Sequence, residues 1–389
     1  MSLEKVFIEN ITLVNYRNFK EFSLNFGENI NIIHGRNGIG KTNILEAISL
    51  FAPGNGLRKA KLDEFRNQFA NDNSSTGWFV KLDLISSKGH SNKLITAKEN
   101  ITRRRIITLD IENTLSQSEI VKYLNIIWLT PQIDNLLNED KERRRKFIDR
   151  IIFNFHHDHL KNLNLHSKLL RERIKILENY GDEVWLAKIE WQISELASQI
   201  AYVRVEIIGY LNEIIDQCDK SFPKGKIIIK SEIEEMITPD LKPNKLEEFI
   251  RSRYNEKRAL DRMRKTTSFG IQKFDFDCYL SSKELSAKYC STGEQKSMLV
   301  MINLAYAILI QKLLNKKPIL LLDEFISHID KGNLAELIKE LIANSSQTFV
   351  TTTDKSSFQI NQHESFHYID LENNQINVET QNLASRVQA

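Results

Sequence analysis

The sequence predicts an α/β nucleotide-binding fold interrupted by a mostly helical insert that contains a short antiparallel helix hairpin. Three observations carry this. Gly35-Arg36-Asn37-Gly38-Ile39-Gly40-Lys41-Thr42 matches GxxxxGK[ST] at every fixed position, between a strand pattern at 30–33 and a helical pattern at 43–51. Pro318-Ile319-Leu320-Leu321-Leu322 has the pattern of a buried strand and ends on two adjacent carboxylates, Asp323 and Glu324. Between these halves, Leu186, Ile189, Ile193, Leu196, Ile200, Val203, Ile207, Tyr210 and Ile214 recur at alternating spacings of three and four, the period of a helix.

Taken in order, the first section reads as strands at 7–14, 30–33, 78–84 and 106–111. One helix interrupts them, running from the glycine loop through Ile44, Leu45, Ala47, Ile48 and Phe51 to a stop at Pro53-Gly54-Asn55-Gly56. In the middle section Leu160, Leu163, Leu170, Ile174 and Leu177 form a first helical stripe, broken by Ser167. The turn Asn179-Tyr180-Gly181-Asp182 separates it from the stripe that begins at Leu186, so the two pair as a hairpin whose apolar residues are read simply as core. The last section predicts a helix over 293–314, a strand over 318–322, a helix over 334–343, a strand over 348–352 and a loose polar tail after Asn373. The expected organisation is 1–115 for the first part of the nucleotide-binding lobe and 116–284 for the helical lobe. The second part of the nucleotide-binding lobe follows at 285–375, and the tail at 376–389.

With 389 residues, 41% of them hydrophobic, the chain can bury a large core. Its 54 basic and 51 acidic residues leave a net charge of +3, too small to imply a nucleic-acid partner, so any basic footprint is local. Cys218, Cys278 and Cys290 lie far apart without a CxxC pair, which fits a reducing cytoplasm. The N-terminal stretch carries charges within its apolar pattern and reads as a first strand. Uninterrupted apolar runs are short against the roughly 20 residues needed to cross a bilayer, so a soluble protein without a membrane partner is expected.

The chemistry concentrates in three places. Glycines at 35, 38 and 40 let the backbone turn N–H groups around phosphate oxygens, and the following helix N-terminus adds positive potential. This assigns residues 35–43, including Arg36, Asn37, Ile39 and Asn43, to ATP, with Lys41 on the β- and γ-phosphates and the Thr42 hydroxyl on Mg²⁺. Asp323 is the second Mg²⁺ residue, and Glu324 orients the attacking water. The third place is Cys290-Ser291-Thr292-Gly293-Glu294-Gln295, which looks like the signature loop of ABC-type ATPases. That resemblance implies that Ser291 and Gly293 face the γ-phosphate held by a second copy of the chain. It further implies a D-loop at Ser327-His328-Ile329-Asp330, with Asp330 near the dimer seam, and a Mg²⁺-touching Gln132 in Thr130-Pro131-Gln132.

Together, NYRNF at 15–19, GRNGIGKTNILEAISLF at 35–51, WLTPQ at 128–132, RRRKFIDR at 143–150, STGEQK at 291–296 and LLLDE at 320–324 resemble the RecF family of bacterial recombination-repair ATPases, in the SMC/Rad50-like branch. The resemblance implies an ABC-type head (lobe I) with a helical lobe II, and Arg17 approaching the nucleotide. It also implies an ATP-dependent homodimer on DNA, slow hydrolysis, and work with RecO and RecR mediators to load recombinase at gaps. Two departures stand out. Gly270-Ile271-Gln272-Lys273 replaces the family's Gly-Pro-His segment, and Thr352-Thr353-Asp354 stands where transporter ATPases have a switch histidine.

DNA requires clustered cations, and two clusters present themselves. Residues 141–150 carry six basic and two acidic residues, and 251–265 carry seven and two, with a smaller patch at Arg103-Arg104-Arg105. The second cluster, Arg251, Arg253, Lys257, Arg258, Arg262, Arg264 and Lys265, is the expected DNA groove, against the plainer reading of a solvated helix face. His156-His157-Asp158-His159 is not read as a metal site, because adjacent side chains seldom converge on one ion. The main rival function is the nucleotide-binding subunit of an ABC transporter. The long separation of Lys41 from Gln132, the helical insert and the missing histidine weigh against it.

Overall fold

Strands β1 (Val6–Tyr16) and β2 (Phe19–Asn25) pair antiparallel, and each alternates buried with exposed positions as a half-covered sheet requires. They continue through β4 (Trp78–Ser86), β5 (Ser91–Lys98), β6 (Ile106–Leu109) and β7 (Asn113–Thr114) into one antiparallel sheet of order β2-β1-β4-β5-β6-β7. A second, wholly parallel sheet has the order β14-β3-β13-β12-β8. Its members are β3 (Ile30–His34), β8 (Ile126–Leu129), β12 (Ile319–Asp323), β13 (Gln347–Thr352) and β14 (Phe366–Asp370). Strands β3, β8, β12 and β13 are buried at every position, which is why β8 and most of β12 read as continuous apolar runs. Helix α1 (Lys41–Ser49) leaves β3, and its Ile44, Leu45, Ala47 and Ile48 join a core shared by both sheets.

This computed structural model describes residues 3–67, 77–98, 104–110, 112–218, 224–325, 333–353 and 366–372. The tail after 372, the 327–330 segment with Asp330, and the side chain of Gln132 lie outside the described residues. The chain forms two compact units, 1–134 with 306–389, and 135–305. The division falls elsewhere than at 115 and 284. Strand β8 pairs with β12 and belongs with the parallel sheet, while the signature segment falls in the helical unit.

In the helical unit, α2 (Lys141–Ile152) precedes the hairpin of α3 (His159–Glu178) and α4 (Glu183–Gln217). Then follow β9 (Gly225–Lys230), α5 (Pro243–Glu256), α6 (Arg258–Arg264), β10 (Asp275–Leu280) and β11 (Leu285–Ser286), whose three strands form a sheet of order β11-β10-β9. The hairpin forms as expected, and on α4 Leu186, Ile189, Ile193, Ile200, Ile207 and Ile214 of the stripe are buried. Ala197, Arg204 and Leu211, however, are buried in place of their neighbours Leu196, Val203 and Tyr210, and Tyr210 is exposed. On α3 the buried seam is His159, His166, Leu169, Arg173 and Leu177.

Helix α7 (Thr292–Leu314) is followed by α8 (Asn333–Ala343). By length and composition α7 could cross a membrane, with mean hydropathy 1.7 over its most apolar window, contrary to the expectation that apolar stretches are short. Single residues such as Ser297 and Asn303 break the runs without breaking the hydropathy, and 72% of that window is buried inside the protein.

Candidate functional site

The ends of three adjacent parallel strands build the site. Register places Ile33 of β3 opposite Thr351 of β13, and Thr351 opposite Asp323 of β12, so one row crosses from the glycine loop to the carboxylates. Asp323 Oδ1 accepts hydrogen bonds from the Thr42 hydroxyl and the Thr351 hydroxyl, both at 2.8 Å. The Glu324 amide donates to Thr351 Oγ1 at 2.9 Å. Glu324 itself adopts φ 48°, a left-handed conformation that costs a non-glycine residue free energy and occurs where a turn redirects a side chain.

The loop is held from both sides. Gly40 caps α1 at φ 116°, and a Cβ there would lie 2.7 Å from both Asn18 Nδ2 and Phe19 Cζ. Asn18 Nδ2 donates to the Ile39 carbonyl at 2.9 Å, and its Oδ1 accepts from Asn43 Nδ2 at 2.7 Å. Gly38, at φ 83°, has nothing within 4 Å of where a Cβ would stand and faces open space. On the other side the Arg36 amide donates to Glu372 Oε1 at 3.0 Å, just beyond β14. Lys41 is buried, and its ammonium donates to the carbonyls of Gly35 (2.6 Å) and Arg36 (3.1 Å). Burial pulls its pKa below the usual lysine range, against the opposing pull of Glu324, Asp323 and Glu372.

Arg17 lies near the loop helix rather than free. Its guanidinium grips Glu46 of α1 through Nε (2.8 Å) and Nη2 (2.7 Å), donates to the Glu64 carbonyl and stacks over Phe65 at 5.0 Å. Burial opposes its charge, but Glu46 more than offsets this and raises its pKa.

In the other unit, Ser291 is the N-cap of α7 within a reciprocal capping box. The Glu294 amide donates to Ser291 Oγ at 3.3 Å, and the Ser291 amide donates to Glu294 Oε2 at 2.9 Å. Lys283 and then this capping amide hold the Glu294 carboxyl down at about 2. Ser291, Thr292 and Gly293 are exposed, and Gly293 has no atom within 4 Å of a Cβ position. Gln295 anchors the turn from below, donating to the carbonyls of Ala287 and Cys290.

The basic clusters are divided by their partners. Arg144 makes a bidentate pair with Asp275, Arg145 donates to the Gln272 carbonyl, and Arg143 and Lys146 pair with Glu139 and Glu142. In the cluster at 251–265, Arg258 pairs with buried Glu190, Arg262 donates to the Leu177 carbonyl, and Arg253 pairs with Glu232 and Glu256. Arg251, Lys257, Arg264 and Lys265 make no ion pair among the described residues. Of these, Arg264 and Lys265 are exposed.

Asn18, Thr351 and Glu372 were not singled out in the sequence. Asn18 stood inside the NYRNF segment and Thr351 one residue before the Thr352-Thr353 pair, so position was the available signal; Glu372 had none.

Comparison with known proteins bears on the whole chain. The model of the RecF/RecN/SMC N-terminal domain matches residues 7–377. The DNA replication and repair protein RecF of Rickettsia akari is 38% identical over 90% of this chain and 96% of its own length. Its counterpart in Rickettsia felis is 38% identical over 90% and 94%. A solved structure of the recombination mediator protein RecF with ATP, from the RecFOR pathway, superposes with TM-score 0.81 at 23% identity, covering 95% of this chain and 98% of that one. The glycine loop, the carboxylate strand and the capped signature turn thus stand in a chain that belongs to the RecF family of DNA replication and repair proteins.

Proposed function

We propose that this chain is a cytoplasmic, ATP-dependent DNA-binding protein of replication and recombinational repair. Two copies close on ATP, and hydrolysis is slow and serves as a switch. Recombinase is loaded at DNA gaps together with mediators of the RecO and RecR type. The observation that carries the nucleotide chemistry is the Thr42–Asp323–Thr351–Glu324 row beside a glycine loop with a buried lysine.

The residues present suit ATP and Mg²⁺. Thr42 and Asp323 offer two oxygen donors 2.8 Å apart, the donor type a hard dication takes. Bound there, Mg²⁺·ATP supplies the phosphoanhydride that water cleaves. Lys41 exchanges the carbonyls of Gly35 and Arg36 for phosphate oxygens, with the amides of the loop around them. Glu324 orients the water, and its backbone turn is fixed by Thr351. Ser291 and Gly293, exposed at the start of α7, present donors to the nucleotide of a second copy. Gln132, Arg17 and Asp330 are assigned to Mg²⁺, nucleotide and dimer seam by family likeness. DNA is assigned to the uncommitted cations Arg251, Lys257, Arg264 and Lys265, with little sequence specificity, since nothing in the set reads base edges.

The primary test is molar mass by light scattering, with and without ATP, for the wild type and Glu324→Gln. ATP is expected to convert monomer to dimer, and Glu324→Gln to remain dimeric after the wild type has relaxed. ATP binding without any change of mass would remove the role given to Ser291 and Gly293.

Thr351 offers a second test. Thr351→Val keeps the β-branched shape but strips two hydrogen bonds, that to Asp323 and that from the half-buried Glu324 amide, at a cost of about 1–3 kcal/mol. Hydrolysis is expected to fall while ATP affinity, set by the loop, stays within about twofold (~0.4 kcal/mol). Equal loss of both, measured by turnover and by fluorescent-nucleotide titration, would mean Thr351 serves the fold alone.

A further inference from the structure

A cleft of about 470 Å³ opens at the end of the parallel sheet opposite to Asp323. Lys122 precedes β8 and Lys316 precedes β12, so both stand at the N-terminal ends of strands whose C-terminal ends bear the nucleotide chemistry. The length of β12, five residues or about 16 Å, separates the two places. One more lysine joins them: Lys88, held to Glu4 at the cleft, lies close enough to Lys316 for mutual repulsion. Glu4 is the one carboxylate lining the cleft. It accepts from Lys88 at 3.4 Å and from the Ser86 hydroxyl at 3.1 Å.

Three ammonium groups around one carboxylate leave an excess of positive charge. The Lys316 ammonium donates to the Lys122 carbonyl, so its charge is not neutralised by that bond. Lys122 makes no ion pair among the described residues. Burial, with the like charge of Lys88, pulls Lys316 below the usual lysine range against the pull of Glu4. An incoming anion relieves that repulsion. The rim adds Ser91 and Asn92, residue types that donate to phosphate oxygens. The wall of Val6, Leu84 and Tyr123 offers an apolar face to a sugar edge.

We propose that this lysine-lined cleft is a binding site for the phosphodiester backbone of nucleic acid, separate from the glycine loop. It rests on the DNA-binding part of the function proposed above. Three lysines drawn from three distant parts of the sequence make the site, so no charge run announces it.

The test is the salt dependence of duplex DNA binding by the full chain, read by fluorescence anisotropy with ATP present. The variant is Lys88→Gln/Lys122→Gln, at two exposed positions. Its control is Lys161→Gln/Lys242→Gln, which removes the same charge from exposed sites in the helical unit. Loss of two phosphate contacts flattens the slope of log K against log salt by about 1.8. The control is expected to keep the wild-type slope, and fluorescent-ATP binding to be equal in all three. An unchanged slope in the cleft variant overturns the site while leaving the DNA-binding reading intact, and so does equal flattening in both variants. A wild type that fails to bind DNA overturns the reading itself, and the site with it.

Discussion

Arg204→Ala is expected to destabilise the helical unit by about 3–5 kcal/mol, the usual cost of removing one partner from a buried ion pair. Arg204 is fully buried in α4. Its Nε and Nη2 hold Asp149 of α2 at 3.0 and 3.1 Å, and its Nη1 reaches Glu234 at 3.0 Å and the Ile271 carbonyl at 2.8 Å. The guanidinium also stacks over Phe274 at 4.6 Å. Alanine would leave Glu234 buried without a counter-charge and Asp149 with His159 alone, besides a cavity. Burial alone would push the Asp149 carboxyl up, yet Arg204, with His159, holds it at about 2, which shows how strongly the pair favours the charged form. Lysine would keep the charge but lose the fork that meets two carboxylates and a carbonyl at once. The expected fall in melting temperature is on the order of 10 °C for a unit of this size. A shift of only a degree or two would mean that the carboxylates find water.

Arg204 also shows where sequence reading stops. The glycine loop, the carboxylate strand and the start of α7 were legible because each is a local pattern whose chemistry needs fixed spacing. The hairpin was legible as two helices, since α3 and α4 bury one face over 20 and 35 residues. Which face was not. Hydrophobicity picks Val203 over Arg204, and Leu163 over His166, whereas the fold buries the polar member because Asp149, Glu234 and Ile271 gather around it from distant segments. The basic runs misled for the same reason, since Arg144 and Arg258 look like surface cations until Asp275 and Glu190 appear beside them. Strands β7 and β11, of two residues each, carry too few residues to show a period. Thr351 became visible only once β13 was seen to lie between β3 and β12.

The second large effect is a loss of stability in mild acid. His166 lies on the buried seam of α3, with its Nε2 without a hydrogen-bond partner among the described residues. Burial, then the positive charge of Arg204, lowers its pKa from 6.5 to about 3. The folded unit therefore refuses a proton that the unfolded chain accepts. Above pH 6.5 the ring is neutral in both states and nothing is lost. As pH falls below 6.5, stability declines by about 1.4 kcal/mol per unit, reaching roughly 2 kcal/mol by pH 5. Asp149 acts in a separate window: with its pKa held at about 2, its contribution is complete above the ordinary carboxylate range and is lost only as pH falls from about 4 towards 2. His156, also lowered by burial but partly exposed and opposed by Glu206, adds a smaller decline of the same sign. Urea midpoints of wild type and His166→Gln at pH 7 and pH 5 separate these groups. The variant starts from a lower stability at pH 7 if the imidazole packs well, but most of the decline between the two pH values is expected to vanish, because glutamine has no proton to refuse. A decline that persists undiminished in the variant would place the acid-sensitive proton on another group.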